Sequence, residues 1–455
     1  MTPENGYLNK LGIIAKFFQF NQLQTNFYTE IIAGITTFVT MAYILVVNPE
    51  ILSKAIFLQN SGDLFGELVI ATAISAAFAT LVMGIYANYP YALAPGMGLN
   101  AYFTFSVVLK LGISWQVALA AVFIEGLIFI GLTISQVRSQ IVNNIPECLK
   151  QATTAGIGLF IAYIGLTSSK IIVTNEATTT TLGNLNQPET LVAISGIIIT
   201  SAFVVRRMTG ALLWGILATA LLTWILGIAP FPNGIISFPQ LPTHLFGQAF
   251  AGFENIVKTN IWELITIIFV FIFVDFFDTV GTLTGLGIKA RYFHQTRESL
   301  NLNKAFMADA LGTTFGAVMG TSTVTSYIES AAGVSEGGRS GFTAVVVGFL
   351  FILSIFFIPL LSAIPSLATT PTLLVVGVLM MGSVRNISWD DPAESISAFL
   401  TIIIMPLSYS IADGLAMGLI SYPLLKTFQG KFHETTFLMW ILTLIFVLKF
   451  LFLGK

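Results

Sequence analysis

The stretch FVDFFDTVGT, Phe273 to Thr282, sets Asp275 and Asp278 three residues apart inside a long apolar run. Thr279, Thr282 and Thr284 follow them. On a helix, positions i and i+3 share a face, with roughly 5–6 Å between Cβ atoms. Both carboxyls are therefore expected to point into one cavity. Each acid at the centre of a membrane helix costs roughly 2.5–3.5 kcal/mol on insertion scales, so two together call for a function. Like charges that close in low dielectric do not both ionise easily. A carboxyl ready to take a proton is what a proton-coupled carrier needs.

A third acid, Glu329, lies in TSTVTSYIES, just after Thr325, Ser326 and Tyr327. Asn100 holds the comparable place in APGMGLNA. Carboxyls, an amide and free backbone N–H groups suit a flat ligand with both donors and acceptors. Purine and pyrimidine bases fit that description. Tyr102, Phe276, Phe277 and Tyr327 offer stacking faces, although in a chain with 13% aromatic residues most rings pack or face lipid. Glu125, Asp309 and Asp413 are also embedded, and a structural partner explains each as well as a transport role. Asp309 and Asp413 precede helix-like runs and read as caps. Gly281 and Gly285 have the spacing of close helix packing. His244, His294 and His433 fall in or near loops, without metal spacing, and the single cysteine, Cys148, excludes an intrachain disulfide.

The elements that must position these groups are membrane spans. Of 455 residues, 55% are hydrophobic and 9% charged, against roughly 25% charged in soluble domains. Too few charges are present to cover a soluble body of this size. Net charge is −2, which leaves no nucleic-acid footprint. The polar first 30 residues do not form a cleavable signal peptide, and no repeat of 20–50 residues appears. A bilayer crossing needs about 20 apolar residues. Candidates are 31–52, 67–87, 115–137, 148–167, 189–205, 210–228, 261–288, 304–320, 341–361, 371–385, 393–427 and 435–453. Two shorter, interrupted segments, 95–110 and 321–335, bring the number to 14. Pro406 and Asp413 mark 393–427 as a broken segment.

The proline-rich stretch 229–260 reads as an external linker between two halves, and the threonine-rich loop 168–188 as external too. With the N-terminus inside, Lys10, Lys16, Arg138, Lys150, Arg206, Arg207, Lys289, Arg291, Arg297, Lys304, Arg339 and Arg385 are cytoplasmic, while Lys54, Lys110, Lys170 and Lys258 are outside. That bias obeys the positive-inside rule. Lys426 and Lys431 fall outside, against it.

The interrupted segments begin about 65 and about 60 residues into their halves, the pointer to an inverted-repeat transporter. Seven segments per half insert the second half upside down, so the two breaks meet near the bilayer midplane. A half-helix beginning there exposes unpaired N–H groups and a partial positive end. Gly96 and Gly98 allow close backbone approach, and Ser322, Thr323 and Thr325 can cap a helix start.

Five motifs in order carry a family resemblance: EIIAGITTFVTMAYILVVNP at 30–49, NYPYALAPGMGLNAYFT at 88–104, FVDFFDTVGTLTG at 273–285, KAFMADALGTTFGAVMGTSTVTSYIESAAGVSEGGRSG at 304–341 and AFLTIIIMPLSYSIADG at 398–414. With them the sequence resembles the AzgA-like purine permeases of the xanthine/uracil permease superfamily, over nearly its whole length. The resemblance implies an all-α integral membrane protein with 14 transmembrane segments in a 7+7 inverted repeat. Its parts are a cytoplasmic N-terminus 1–29, a first repeat 30–228, the linker 229–260 and a second repeat 261–455. A core domain would comprise about 30–137 plus 261–361, and a gate domain about 148–228 plus 371–453. It implies a homodimer in the inner cell membrane that imports adenine, guanine or hypoxanthine with protons. Xanthine or uracil as the base, and sodium as the coupling ion, stay open. Asp275 and Glu329 would contact the purine, and Asn100, Gly98, Tyr327 and Thr325 would complete the pocket. Asp278, with Asp275 and Glu329, would serve proton coupling. No cofactor and no metal are implied. The loops 168–188 and 290–303 are individual to this chain.

Rival classes fit less well. An intramembrane aspartyl protease carries its aspartates on two helices with a Gly-x-Gly-Asp signature, whereas Ile288 follows GLG at 285–287. No Walker lysine motif supports ATP-driven pumping. Three acids facing a cavity would repel anions, and a sulfate or bicarbonate carrier would more naturally place a cation at Glu329.

Overall fold

The computed structural model describes residues 12–57, 64–135, 145–239, 242–256, 259–289 and 302–453. Lys10, Arg138, Lys258, Arg291, Arg297, His294 and most of the 290–303 loop lie outside these residues, as do the side chains of Thr284 and Lys289.

The first half opens with one helical span loosened at Ala42–Tyr43 into α1 (Phe27–Met41) and α2 (Ile44–Leu52). Asn26 caps it by accepting the Thr29 N–H at 3.0 Å, satisfying a donor that has no partner inside the helix. Next come α3 (Leu64–Val82), strand β1 (Leu93–Pro95) and α4 (Met97–Ala101), which widens into a π-helical stretch, Tyr102–Lys110. α5 (Trp115–Ile134) and α6 (Glu147–Ser168) follow. Strands β2 (Ile172–Asn175) and β3 (Thr179–Leu182) make a hairpin before α7 (Pro188–Val205) and α8 (Ala211–Ile225).

The second half holds α9 (Gln248–Ile256), α10 (Ile261–Lys289), α11 (Leu302–Met319), β4 (Val324–Ser326), α12 (Ser330–Ser335) and α13 (Gly341–Ser354). It ends with α14 (Thr370–Met381), α15 (Pro392–Ser408), α16 (Ile411–Phe428) and α17 (Phe437–Leu453). Among the described residues, eight helical spans are long and apolar enough to cross a membrane. The helices sort into two packed groups. α11 lies on α3 and α5, and α13 on α1 and α3; separately, α6 lies on α14 and α15, and α7 on α8 and α14.

Four expectations change. The interrupted segments start not as capped helices but as strands: β1 and β4 pair antiparallel, Leu93 opposite Ser326 and Pro95 opposite Val324. Among the described residues the fold is thus helical with two short strand pairs. A two-stranded sheet inside a membrane protein has two bare edges, and unpaired backbone groups in hydrocarbon cost several kcal/mol each. Two threonines close those edges. The Thr80 hydroxyl on α3 bonds both the N–H and the C=O of Leu93, at 2.9 and 3.0 Å. The Thr313 hydroxyl on α11 does the same for Val324, at 3.3 and 3.0 Å.

The linker 229–260 contains α9, packed on α5 with Phe250 and Phe253 edge-on to Phe123. The segment 393–427 is broken as its sequence suggests, into a helical hairpin turned by Tyr409 in the left-handed region (φ 52°) and restarted by Ser410, whose hydroxyl accepts the Asp413 N–H. Lys426, near the end of α16, bonds Asp391 at the start of α15 at 2.9 Å and Glu434 at 2.7 Å. Lys426 and Lys431 therefore share a side with Asp391 and nearby Arg385, rather than facing away from it. Finally, Asp309 is not a cap but sits within α11.

Candidate functional site

A cavity of about 640 Å³ lies where the β1–β4 junction meets α10, with α6 and α14 across from it. This is within the usual range for small-molecule sites. Asp278 and Glu329 both line it, as do Gly98, Thr325 and Tyr327. Glu329 is presented by the chain break itself: it follows β4 and sits at the residue before α12, with its side chain making no cap. Gly98 makes room at the contact with α6, where an added Cβ would come within 2.6 Å of Ile157 Cγ2.

Asp275 does not share this cavity. It is fully buried, and the Thr279 hydroxyl lies 3.3 Å from its Oδ1 and 3.0 Å from Asp309 Oδ1 on α11. The i+4 neighbours explain the divergence. Asp275 and Thr279 form one ridge toward α11, whereas Asp278 and Thr282 form the next, toward the cavity. The expectation that both acids point into one cavity is corrected on this geometry.

Asn100 also stays behind the wall. It is fully buried and its Oδ1 accepts from Ser322. The neighbouring hydroxyls do the same for other helices: Thr321 accepts from Asn48 at 2.9 Å and Thr323 donates to Glu125 at 2.7 Å. The run Thr321–Ser322–Thr323 thus anchors the break to α2, α4 and α5. Of the aromatics, Phe277 and Tyr327 line the cavity. Tyr102 packs on Phe271, and Phe276 on Phe129. The Tyr327 hydroxyl donates to the Pro95 carbonyl, tying β4 to β1.

Sequence reasoning missed Tyr43, whose hydroxyl donates to Glu329 Oε1 at 2.6 Å. A single hydroxyl in the apolar run MAYILVV was its only signal. It also missed the polar mouth, where Glu147, Lys150, Gln151 and Asn386 line the cavity. Lys150 pairs with Glu147 at 3.1 Å and sits 5.5 Å from the Phe277 ring centre, within cation–π reach. Opposite, the two helix groups touch through Lys110–Asp413 at 2.7 Å, Ser106 to the Tyr409 carbonyl at 3.2 Å and Lys54–Ser168 at 3.3 Å. Among the described residues no three His, Cys, Asp or Glu side chains gather as metal ligands.

The pattern of a family described as Permease family, that of the xanthine/uracil permeases, matches residues 28–417. The chain belongs to that family. As a permease it is a multi-pass membrane transporter and not an enzyme. It is 52% identical to a putative permease of Methanocaldococcus jannaschii, over 98% of this chain and 99% of that one. It is 45% identical to the guanine/hypoxanthine permease PbuG of Bacillus subtilis (96% and 99% covered) and 40% identical to the adenine permease AdeP of Escherichia coli (97% of each). The transmembrane domain of a cyanobacterium bicarbonate transporter, BicA, has the same fold: TM-score 0.60 at 14% identity, over 85% of this permease and 97% of that chain.

Proposed function

We propose that this permease imports purine nucleobases by proton symport through alternating access. The observation that carries the reading is the pairing of Asp278 and Glu329 on one cavity in a chain 40–45% identical to guanine/hypoxanthine and adenine permeases. Two carboxylates accept ring and exocyclic N–H groups, and the Phe277 and Tyr327 rings offer faces to a flat base. Asp278 and Glu329 are the acids assigned to the base and to the coupling proton. Asp275 is assigned to support behind them, because its carboxyl faces α11. Gly98, Thr325 and Tyr327 remain in the pocket, while Asn100 holds the wall through Ser322.

The packing of α1–α5 with α10–α13, against α6–α8 with α14–α17, fits a core and a gate domain. The threonine locks at Thr80 and Thr313, one in each half, fit an inverted repeat. Lys150 and Asn386, at the cavity mouth, fall on the cytoplasmic side by the positive-inside reading, and Lys110 and Lys54 on the other. On that reading this is an inward-facing state, and the core domain moves against the gate domain to face outward. A homodimer in the inner cell membrane completes the proposal.

Uptake of labelled hypoxanthine into vesicles containing the purified permease tests it, with and without an imposed pH gradient. Accumulation should follow an inward proton gradient, and indifference to it would exclude proton coupling. Replacing the proton gradient with a sodium gradient separates the two ions, and unlabelled adenine, guanine, xanthine and uracil as competitors rank the bases. The fold shared with a bicarbonate transporter does not argue for an anion, since two carboxylates face this cavity.

A further inference from the structure

Glu329 enters the pocket at a chain break. It is half-buried at the end of a chain break, and its side chain caps nothing. Among the described residues the Tyr43 hydroxyl is its one side-chain hydrogen-bond partner, at 2.6 Å. Tyr43 is of the opposite character. Its ring is 1% exposed, wedged at the loosening between α1 and α2, and its hydroxyl edge reaches the cavity. A buried ring from α1–α2 therefore holds the carboxylate that follows β4.

We propose that Tyr43 is a positioning residue for the substrate: by holding Glu329 Oε1, it sets Oε2 toward a heterocycle that presents a ring N–H. This rests on the purine-transport reading above. A hydroxyl has one proton. With that proton given to ionised Glu329, Tyr43 Oη faces the cavity only as an acceptor, and Oε2 stands beside it as another. An unheld glutamate has several rotamers, and fixing them on binding weakens affinity. Tyr43 fixes them beforehand, so its removal acts on substrate binding and not on the later movement of the domains.

The test is Tyr43→Phe in the full-length permease, reconstituted in vesicles and assayed with labelled hypoxanthine. Loss of one hydrogen bond to a charged group should raise KM about tenfold while Vmax stays within about twofold. Combined with Glu329→Ala, Tyr43→Phe should add little, because the carboxylate that Tyr43 holds is already gone. An unchanged KM overturns the proposal, as do effects of the two substitutions that multiply. So does a fall in Vmax or in melting temperature at unchanged KM, which would make Tyr43 a packing residue. If the unsubstituted permease accumulates no hypoxanthine, the purine reading fails with it. If it does, and Tyr43→Phe matches it, only the positioning role is lost.

Discussion

Asp275 and Asp278 illustrate how little separates a pocket residue from a structural one. They are three positions apart, yet one bonds within a buried carboxyl–hydroxyl–carboxyl group and the other lines a cavity. Asp278→Asn should raise the KM for hypoxanthine at least tenfold with little change in melting temperature, since the carboxylate proposed to hold the base is lost. Asp275→Asn should do the reverse, lowering the melting temperature in detergent while KM changes less than threefold. Equal KM effects would return Asp275 to the pocket. A different carboxylate carries a pH signature. Asp391, outside the spans, is held well below the usual carboxylate range, first by the Gln429 amide and then by the Lys426 ammonium. A depressed acid stabilises the fold above its ordinary value near 4, and the contribution is lost as pH falls further toward the folded-state value. The melting-temperature gap between wild type and Asp391→Asn should be full at pH 7 and shrink below about pH 4. A gap independent of pH would exclude this linkage.

The β1–β4 pair is the element on which the pocket hangs, and its stability depends on two threonines. Thr80→Val or Thr313→Val keeps the side-chain shape but strands a backbone N–H and C=O in a buried setting. Each substitution should destabilise by at least about 1–3 kcal/mol. Thermal melts in detergent should register both, against a surface control such as Thr178→Val on the exposed hairpin. Loss in one and not the other would count against the proposed inverted repeat. The hairpin α15–α16 shows the same dependence on local chemistry. Left-handed Tyr409 and the Ser410 cap reverse the chain where the run of apolar residues alone suggests continuation.

For the molecule as a whole, the relevant energies are the contacts between the two helix groups. Lys110–Asp413 spans them at 2.7 Å, with the lysine 38% exposed. Partly exposed ion pairs contribute about 0.2–1 kcal/mol, so under the proposed alternating access Lys110→Ala should shift the balance toward the outward-facing form by at most about fivefold. Labelling of Ser106→Cys by a membrane-impermeant maleimide, in a Cys148→Ser background, should accelerate by up to that factor. No change would mean that the pair does not hold the outer face closed.

Much was legible in the sequence because it depends on local composition. The apolar runs, the sparse charges and the Gly/Pro interruptions at 95–98 specify a membrane protein with broken segments, and ordered motifs carry its family. Backbone physics requires this, since a chain in hydrocarbon must satisfy its own hydrogen bonds. What sequence could not decide is the rotation of α10 about its axis. Helical period places Asp275 and Asp278 within about 60° of each other, but packing against α11 determines which one meets the cavity. Nor could it show Tyr43 beside Glu329, 286 residues away, or Lys426 beside Asp391 across a reversal that only Tyr409 and Ser410 build. Those are contacts between elements, and they exist only once the helices and the β1–β4 pair have packed.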